Sequence, residues 1–304
     1  MCEKFTSSLP ERFTKNTLDV CGELGKKRLD DLGQIIGDLS EKWLLSVKKP
    51  FPNLSYNFVA LCVCENGSEA VLKIALPLNN REIFNEASFL QLSDSKAAVK
   101  LLNSDINRRS ILLERLMTGK HLKEVFCQEE AKTVEIAIGI MRRILKKPPR
   151  NPAFPRLEDW FNNFFIKSPK TNFPFEFLRK TRGFFEELSL APKFLIHGDL
   201  HHENILLAQR EPFLIIDPKS VFGNISYEIA VFLNNHFWWL NGQSNLKGKL
   251  DVVIERFSEA FEIKLEDLRK WAFCQMVLSA WWTFEDNGEN WQPELAFAEF
   301  WGKL

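Results

Sequence analysis

Apolar residues recur at helical spacing in the first part of the chain. They stand three or four positions apart between residues 18 and 47, which is the period of an amphipathic helix. The recurring positions are Leu29, Leu32, Ile35, Ile36 and Leu39. This pattern predicts that residues 18–47 are mainly helical.

After Pro50 the pattern changes to short runs that are rich in β-forming residues. Residues 57–64 and 68–75 are two such runs, and Asn66-Gly67 lies between them. Asn-Gly is typical of tight hairpin turns, because both residues accept positive φ angles. The two runs are therefore predicted to form a β-hairpin.

Residues 81–92 return to helical spacing, and two further strand candidates follow at residues 97–102 and 110–116. A polar turn around Asn107 separates these two candidates. The first part of the chain is therefore predicted to be a helix followed by a sheet that carries one more helix.

The rest of the chain is predicted to be mainly helical. A long amphipathic segment at residues 128–147 is followed by a loop that four prolines impose, and then by Phe-rich helical stretches. The prolines are Pro148, Pro149, Pro152 and Pro155. Further helices are predicted near residues 225–240, 250–261 and 265–283. An apolar stripe in the last helix is predicted to pack in the core, and it consists of Trp271, Cys274, Leu278 and Trp282.

Together these elements predict an α+β fold of two lobes. A smaller lobe with an antiparallel sheet would span residues 1–116, and a larger, mainly helical lobe would span residues 117–304. A chain of 304 residues is long enough to bury a core in each lobe.

Charge and composition narrow the classes of partner and location. Lys+Arg and Asp+Glu both number 40, so the formal net charge is zero, which removes the general electrostatic argument for binding nucleic acid or an anionic membrane. No run approaches the roughly 20 apolar residues of a membrane span, and the charged N-terminus does not resemble a signal peptide. The six cysteines are scattered, which is typical of reduced thiols in a cytoplasmic protein.

Polar residues crowd between two apolar runs in the segment H-G-D-L-H-H-E-N at residues 197–204, which we call the catalytic loop. His197 and His201 stand four positions apart, as in helical zinc sites. However, Gly198 and the apolar run before it predict a turn from strand to loop. A zinc site is therefore disfavoured.

Phosphoryl transfer is the alternative chemistry for this segment. Protein kinases use H-R-D-L-x-x-x-N, in which the Asp accepts the proton of the substrate hydroxyl and the Asn holds a magnesium ion. Asp199 and Asn204 keep this order. A predicted hairpin then returns Asp217 to the point where the first strand ended, and there its carboxylate would bind Mg²⁺.

A lysine and a glutamate in the first lobe extend this pattern. Lys73 lies between apolar neighbours in a predicted strand, and Glu86 follows on the predicted helix. Kinases need a cation for the α- and β-phosphates of the nucleotide and a carboxylate that holds this cation. A single strand lysine is more often exposed to solvent, but the order of all these elements indicates a kinase-like fold.

The acceptor is predicted to be a small molecule. Asp217 is followed by Pro218-Lys219, and a helix is predicted to begin near Tyr227. This distance leaves no room for the long segment with which protein kinases bind peptides.

H-G-D-L-H-x-x-N at residues 197–204 and I-D-P-K at residues 216–219 resemble the aminoglycoside phosphotransferases. L-L-E-R-L-M-T-G at residues 112–119 and S-A-W-W-T-F-E-D-N-G at residues 279–288 are similar to segments of one branch, the streptomycin 6-kinases or aminoglycoside/hydroxyurea resistance kinases. This resemblance runs along nearly the whole chain. It implies a protein-kinase-like fold, ATP and Mg²⁺ as cofactors, and streptomycin or a similar aminoglycoside as the acceptor.

The resemblance also implies a role for each matching residue. Asp199 would be the catalytic base or the residue that orients the acceptor hydroxyl, and the other roles follow by position. Asn204 and Asp217 would be the metal ligands. Lys73 would bind the α- and β-phosphates, and Glu86 would hold Lys73. The backbone around Glu114 and Leu116 would line the adenine pocket. Glu285 and Asp286 would attract a cationic acceptor, because carboxylates pair with guanidinium groups, or they are solvated acids at a helix end.

Two positions depart from the family pattern. The phosphate loop of the family contains Gly or Ser, whereas N-L-S-Y-N at residues 53–57 has no glycine and offers Ser55 and backbone amides. Glu228 stands where the family has an Asp that holds the catalytic loop. Two alternatives therefore stay open. One is a kinase for a metabolite such as a sugar, an amino alcohol or a fructosamine, and the other is a non-catalytic module that binds a nucleotide or a partner.

Overall fold

The computed structural model describes residues 9–78, 81–93, 96–127, 129–145, 154–188 and 194–303. By its contacts the chain divides into a first unit, Met1–Gly119, and a second unit, Lys120–Leu304. Cys2 and the predicted loop at Pro148, Pro149 and Pro152 lie outside the described residues.

The first unit contains an antiparallel sheet. Helix α1 (Glu11–Trp43) precedes this sheet, and helix α2 (Glu82–Leu92) follows its third strand. The strands are β1 (Leu45–Pro50), β2 (Phe58–Cys64), β3 (Glu69–Ile74), β4 (Leu101–Asp105) and β5 (Ser110–Glu114). Their order across the sheet is β1-β2-β3-β5-β4, and each neighbouring pair is antiparallel. The apolar face of α1 and the strands β2 and β3 share one core.

The hairpin predicted around Asn66-Gly67 is confirmed. Strands β2 and β3 pair in continuous register from Phe58–Ile74 to Val63–Glu69. Gly67 has a φ of 81°, which a residue without a Cβ adopts at little cost. This hairpin places Lys73 in the middle of the sheet.

The end of α1 and the start of β4 differ from the prediction. Helix α1 ends at Trp43, where Leu44 has a left-handed φ of 51°, and residues 45–50 form the edge strand β1 instead of continuing the helix. The sequence of this strand has little apolar alternation and therefore does not predict it. Its pairing with β2 defines it. Strand β4 begins at Leu101 and not at residue 97, because its ladder with β5 begins there.

The second unit is mainly helical, as predicted. Its helices are α3 (Leu122–Val125), α4 (Glu130–Ile144), α5 (Leu157–Lys167), α6 (Phe175–Glu187), α7 (Ile225–Leu240), α8 (Leu246–Phe261), α9 (Leu265–Asn287) and α10 (Gln292–Gly302). Helix α10 was not predicted. In the apolar stripe of α9, Trp271, Cys274 and Leu278 are buried, whereas Trp282 is partly exposed. Among the described helices, none combines the length and the apolar character needed to cross a membrane.

Two small sheets in the second unit position the catalytic loop and the segment around Asp217. Strand β6 (Phe194–Ile196) pairs with β9 (Val221–Gly223), and strand β7 (Ile205–Leu207) pairs with β8 (Phe213–Ile215). The β7–β8 pair is the hairpin predicted to return the chain to Asp217. Helix α7 begins directly after β9, and most of its residues are buried. It therefore belongs to the core of this unit and lies next to the loops.

Candidate active site

Lys73 is the penultimate residue of β3, opposite Val59 of β2 and Ile111 of β5. Its side chain is buried, and its Nζ lies 2.6 Å from Oε2 of Glu86 on α2. A buried ammonium group requires an opposite charge, because the desolvation of an unpaired charge is costly. The structure therefore brings together the lysine and the glutamate that the sequence singled out.

The glycine-free segment at residues 53–57 connects β1 to β2. Leu54 is buried in the core of the first unit, and Nδ2 of Asn16 on α1 donates a hydrogen bond to the carbonyl O of Ser55 at 3.0 Å. Helix α1 therefore holds this segment by a contact that the sequence did not indicate. The phosphate-binding role of Ser55 stays a prediction.

Glu114 is the last residue of β5, and its backbone is fixed by Lys100. The N–H of Glu114 donates to the carbonyl O of Lys100 at 3.0 Å, and Oε1 of Glu114 accepts the N–H of Lys100 at 2.8 Å. Leu116 is buried two residues further on. The predicted adenine contact of these two residues stays a prediction.

The catalytic loop begins with a conformation that requires glycine. Gly198 has a φ of 81°, and a Cβ at this position would lie 2.9 Å from Cγ1 of Val221. Both the left-handed backbone and the close approach exclude a side chain here. The next residue, Asp199, has a side chain that is 39% exposed. Its carboxylate therefore reaches solvent directly after a buried strand.

Glu228, in the first turn of α7, binds the backbone on both sides of Asp199. Its Oε2 accepts the N–H of Gly198 at 2.9 Å, and its Oε1 accepts the N–H of Leu200 at 3.1 Å. Burial raises the pKa of this carboxyl to about 7, and the nearby Asp199 carboxylate adds to the rise, while the amide hydrogen bonds oppose it. The position that departs from the family pattern thus holds the loop and titrates near neutral pH.

The peptide groups of Ile216 join three segments of the site. The N–H of Ile216 donates to the carbonyl O of Asn204 at 3.0 Å, and its carbonyl O lies 2.9 Å from Nε2 of His197. Nδ1 of His197 accepts the N–H of Asp199 at 3.2 Å, and burial lowers the pKa of His197 to about 4. His197 is therefore neutral at pH 7, with its proton on Nε2. Asp217 directly follows Ile216, so its backbone lies next to the segments that contain His197 and Asn204.

Asn204 and Asp217 carry the donor atoms that a hard divalent cation requires. Nδ2 of Asn204 donates to the carbonyl O of Asp199 at 2.9 Å, which fixes the orientation of the amide and turns Oδ1 away from that carbonyl. Asp217 has a φ of 58°, a region that Asp occupies more readily than most residues. One amide oxygen and one carboxylate suit Mg²⁺, because this ion keeps several waters and takes further ligands from phosphates.

The zinc interpretation finds no support in the part of the chain that the structure describes. No group of three or more His, Cys, Asp or Glu residues suited to a metal occurs there. His197 uses both ring nitrogens for hydrogen bonds to the backbone, and Nδ1 of His201 accepts the N–H of Glu203 at 3.3 Å. His197 and His201 therefore hold the backbone of the loop.

Glu285 and Asp286 lie in the last turn of α9 and are exposed. Oε1 of Glu285 forms an ion pair with Nζ of Lys167 at 2.5 Å, so part of its charge is compensated within the chain. Both acids belong to the second unit, as does Asp199. Their contact with an acceptor stays a prediction.

The structure also shows a contact of the catalytic loop that sequence analysis missed. His202 lies in the 3₁₀ turn His202–Asn204, and its Nε2 is 3.0 Å from Nδ1 of His236 on α7. The additional histidine in the motif was a weak signal. Its partner stands 34 residues away, and no local pattern indicates such a pair.

Replacing Glu228 by Gln is expected to remove one component of the pH dependence of stability below neutral pH, the one that lowers stability as the pH rises. The pKa of Glu228 is raised from 4.5 to about 7 in the folded protein, so the folded chain keeps a proton that the unfolded chain has lost. Its contribution to the free energy of unfolding therefore falls as the pH rises from about 4.5 to about 7, and stays level above that. Gln cannot titrate and lacks this slope.

Urea unfolding of wild type and Glu228→Gln between about pH 5 and pH 8 measures the effect as a difference. The buried histidines have lowered pKa values and give the opposite slope, but they are common to both proteins and cancel. In the wild type, activity should fall as the pH decreases below about 7, because the protonated carboxyl no longer accepts both amides. Identical slopes in the two proteins would contradict the raised pKa.

Comparison with known proteins agrees with the phosphoryl-transfer chemistry that the sequence motifs predict. Residues 42–288 match the family described as aminoglycoside/hydroxyurea antibiotic resistance kinase. The chain is 26% identical to a hydroxyurea phosphotransferase from Kitasatospora aureofaciens, over 94% of this chain and 83% of that protein. It is 24% identical to a streptomycin 6-kinase from Streptomyces glaucescens, over 94% of each. A solved amicoumacin kinase in complex with AMP-PNP and Ca²⁺ covers 93% of this chain and 95% of its own, with a TM-score of 0.65 at 15% identity, and this similarity shows the fold alone.

Proposed function

The chain belongs to the aminoglycoside/hydroxyurea antibiotic resistance kinase family, and on this premise we propose that it transfers the γ-phosphoryl group of ATP to a hydroxyl group of a small polar molecule. As a member of the family it is a phosphotransferase of the aminoglycoside kinase type, with a hydroxyl group as acceptor. Its fold is the predicted α+β, protein-kinase-like fold.

The proposal depends above all on the arrangement of the catalytic loop. Asp199 is partly exposed, and Glu228 holds the backbone on both sides of it, while Ile216 links Asn204 to Asp217. In-line transfer depends on positioning and on charge neutralisation, so it requires a carboxylate for the hydroxyl group and oxygen ligands for a cation. Asp199 would orient the acceptor hydroxyl and accept its proton. Asn204 and Asp217 would hold Mg²⁺, which neutralises phosphate charge when it is bound.

The first unit would serve the nucleotide. Lys73 would bind the α- and β-phosphates, and Glu86 would keep its ammonium group in place. Ser55 and the backbone around Glu114 and Leu116 would complete the contacts with phosphate and adenine, as the family pattern implies. The amicoumacin kinase structure contains AMP-PNP and Ca²⁺, which supports ATP and a divalent cation for this chain. ATP is available in the cytoplasm, where we place the protein.

Streptomycin or a similar aminoglycoside is the proposed acceptor. The similarity to a streptomycin 6-kinase over 94% of both chains supports it. Glu285 and Asp286 also support it, because exposed carboxylates suit a guanidinium-bearing molecule. Hydroxyurea is the second candidate, since a hydroxyurea phosphotransferase is 26% identical. Hydroxyurea is uncharged, so it would not need the two acids.

An acceptor panel tests the proposal. Purified protein is incubated with ATP and Mg²⁺ and with streptomycin, hydroxyurea, a sugar alcohol or a fructosamine, and mass spectrometry detects a transferred phosphoryl group. We expect streptomycin to be phosphorylated and the reaction to stop when EDTA removes the metal. A variant with Glu285→Gln and Asp286→Asn should raise the KM for streptomycin and leave the KM for ATP unchanged.

Other outcomes of the panel have distinct meanings. Phosphorylation of hydroxyurea alone would keep the chemistry and replace the acceptor, and transfer to the sugar alcohol or the fructosamine would indicate a metabolite kinase. Nucleotide binding that does not depend on metal, with no acceptor modified in a wider panel, would favour a non-catalytic module and contradict the proposal.

A further inference from the structure

Two buried histidines of the second unit take no part in the proposed transfer. His202 is the first residue of the 3₁₀ turn His202–Asn204, and His236 lies on α7. Their exposed fractions are 2% and 0%, and Nε2 of His202 lies 3.0 Å from Nδ1 of His236. A direct hydrogen bond between two imidazole rings therefore joins the catalytic loop to α7.

Aromatic rings surround this pair. The ring of His202 lies 4.2 Å from the ring of Phe232 and 5.0 Å from the ring of Trp239, measured between centroids. Burial lowers the pKa of His236 to about 4. Two imidazole nitrogens 3.0 Å apart form a hydrogen bond when one of them carries a hydrogen and the other does not, so one ring donates and the other accepts.

Packing alone does not explain why these two positions are histidines. Nε2 of His236 is buried, and no described residue forms a hydrogen bond with it. A buried nitrogen without a partner is unfavourable, and two apolar side chains of similar size would fill the same space without this penalty. What the pair adds is a directional bond, which gives the turn one orientation relative to α7.

We propose that His236 is a positioning residue that acts through His202 to orient Asn204, and that it thereby sets the affinity of the site for its divalent cation. This inference rests on the proposed function, in which Asn204 binds Mg²⁺. Asn204 and His202 belong to the same turn of three residues, so a rotation of one displaces the other. The bond from Asn204 to Asp199 lies within the loop, and the bond from Ile216 to Asn204 joins the loop to the end of β8. The imidazole pair, in contrast, joins the turn to α7.

Helix α7 therefore holds the catalytic loop in two places. Glu228 binds the backbone around Asp199. His236 stands about 12 Å further along the helix axis, where it binds the turn that contains Asn204. Loss of the second contact alone should weaken metal binding while leaving catalysis at saturating metal close to normal.

The test compares His236→Leu with His236→Asn. Asn places an amide atom near the position of Nδ1 and keeps a bond to His202, whereas Leu fills the space without one. Each protein is heated with AMP-PNP at increasing Mg²⁺, and the Mg²⁺ concentration that gives half of the maximal rise in Tm is recorded. For His236→Leu we expect this concentration to rise about tenfold, the effect of one buried hydrogen bond. For His236→Asn we expect little change.

A second measurement uses protein without metal or nucleotide. Hydrogen exchange of peptides that cover residues 198–207 should be faster in His236→Leu than in wild type, and normal in His236→Asn. Asn235→Ala is the matched control, because Asn235 lies next to His236 and its Nδ2 donates within α7, to the carbonyl O of Val231 at 2.9 Å. This control should keep both the wild-type exchange and the wild-type Mg²⁺ dependence.

The possible results decide between the two proposals. If wild type shows a Mg²⁺-dependent rise in Tm and His236→Leu has the same Mg²⁺ dependence, the positioning role is wrong and the proposed function stands. An equal shift in Leu and Asn variants also excludes the role of the bond. If His236→Leu does not fold, His236→Gln replaces it, since the longer side chain misplaces the amide, and the difference from His236→Asn decides. No Mg²⁺-dependent rise in wild type would contradict the proposed function itself, and this inference with it.

Discussion

An Asp199→Asn variant is expected to transfer phosphate about 10² to 10⁴ times more slowly than wild type, the range for loss of a general base. Asn has the size of Asp but cannot accept the proton of the acceptor hydroxyl. Glu228 binds the backbone N–H groups of Gly198 and Leu200 and not the Asp199 side chain, so the loop should keep its conformation. Mass spectrometry of the phosphorylated acceptor measures the rate, and the rise in Tm with AMP-PNP and Mg²⁺ measures nucleotide binding, which should be nearly unchanged.

Glu203→Gln is the matched control for this substitution. Glu203 is an exposed acid in the same loop, so its replacement removes the same charge from the same segment without removing the proposed base. Activity near the wild-type level is expected. A wild-type rate in Asp199→Asn would refute the assignment of Asp199, and a matching loss in Glu203→Gln would show that the charge of the loop matters instead of one carboxylate.

Removing one member of the Lys73–Glu86 pair is expected to lower the free energy of unfolding by about 3 to 5 kcal/mol. The side chains are only 7% and 4% exposed, and Nζ lies 2.6 Å from Oε2. Lys73→Met leaves a buried carboxylate without this ionic partner, and Glu86→Leu does the same to a buried ammonium group. Urea unfolding of each variant measures the loss.

The double variant Lys73→Met/Glu86→Leu is expected to recover most of this stability and to remain inactive. Two apolar side chains of similar size remove both buried charges together, but no ammonium group remains for the phosphates. The exposed pair Lys247–Asp251, with N and O at 2.8 Å, is the control, and Lys247→Met should change stability by less than about 1 kcal/mol. Single variants of Lys73 and Glu86 as stable as wild type would contradict a buried ion pair.

Sequence patterns predicted those parts of the fold that depend on a few adjacent residues. The hairpin at Asn66-Gly67 and the β7–β8 hairpin followed from turn residues and from short apolar runs, which are local properties. Strand β1 was assigned in part to the first helix, because an edge strand is defined by its partner and Leu45–Pro50 has little alternation of its own. Helix α10 was missed and the start of β4 was misplaced for a similar reason, since packing and pairing decide such boundaries.

In the candidate site, too, sequence patterns indicated the residues of local motifs but not their distant partners. The motif and its spacing indicated Asp199, Asn204 and Asp217, because one short loop and one hairpin encode them. The partners of these residues are distant in sequence. That Glu228 binds on both sides of Asp199, and that its pKa rises to about 7, follows from burial at the start of α7, which no local pattern reports.

Residue types and their spacing along the chain predicted the phosphotransferase chemistry and the order of its candidate groups, because this chemistry requires particular residue types at short, characteristic spacings. How those groups are held depends on the fold. The bond from His202 to His236 spans 34 residues, and the contact of Asn16 with Ser55 spans 39. Such contacts, and the burial that shifts the pKa of Glu228, arise from the packing of segments that are far apart along the chain.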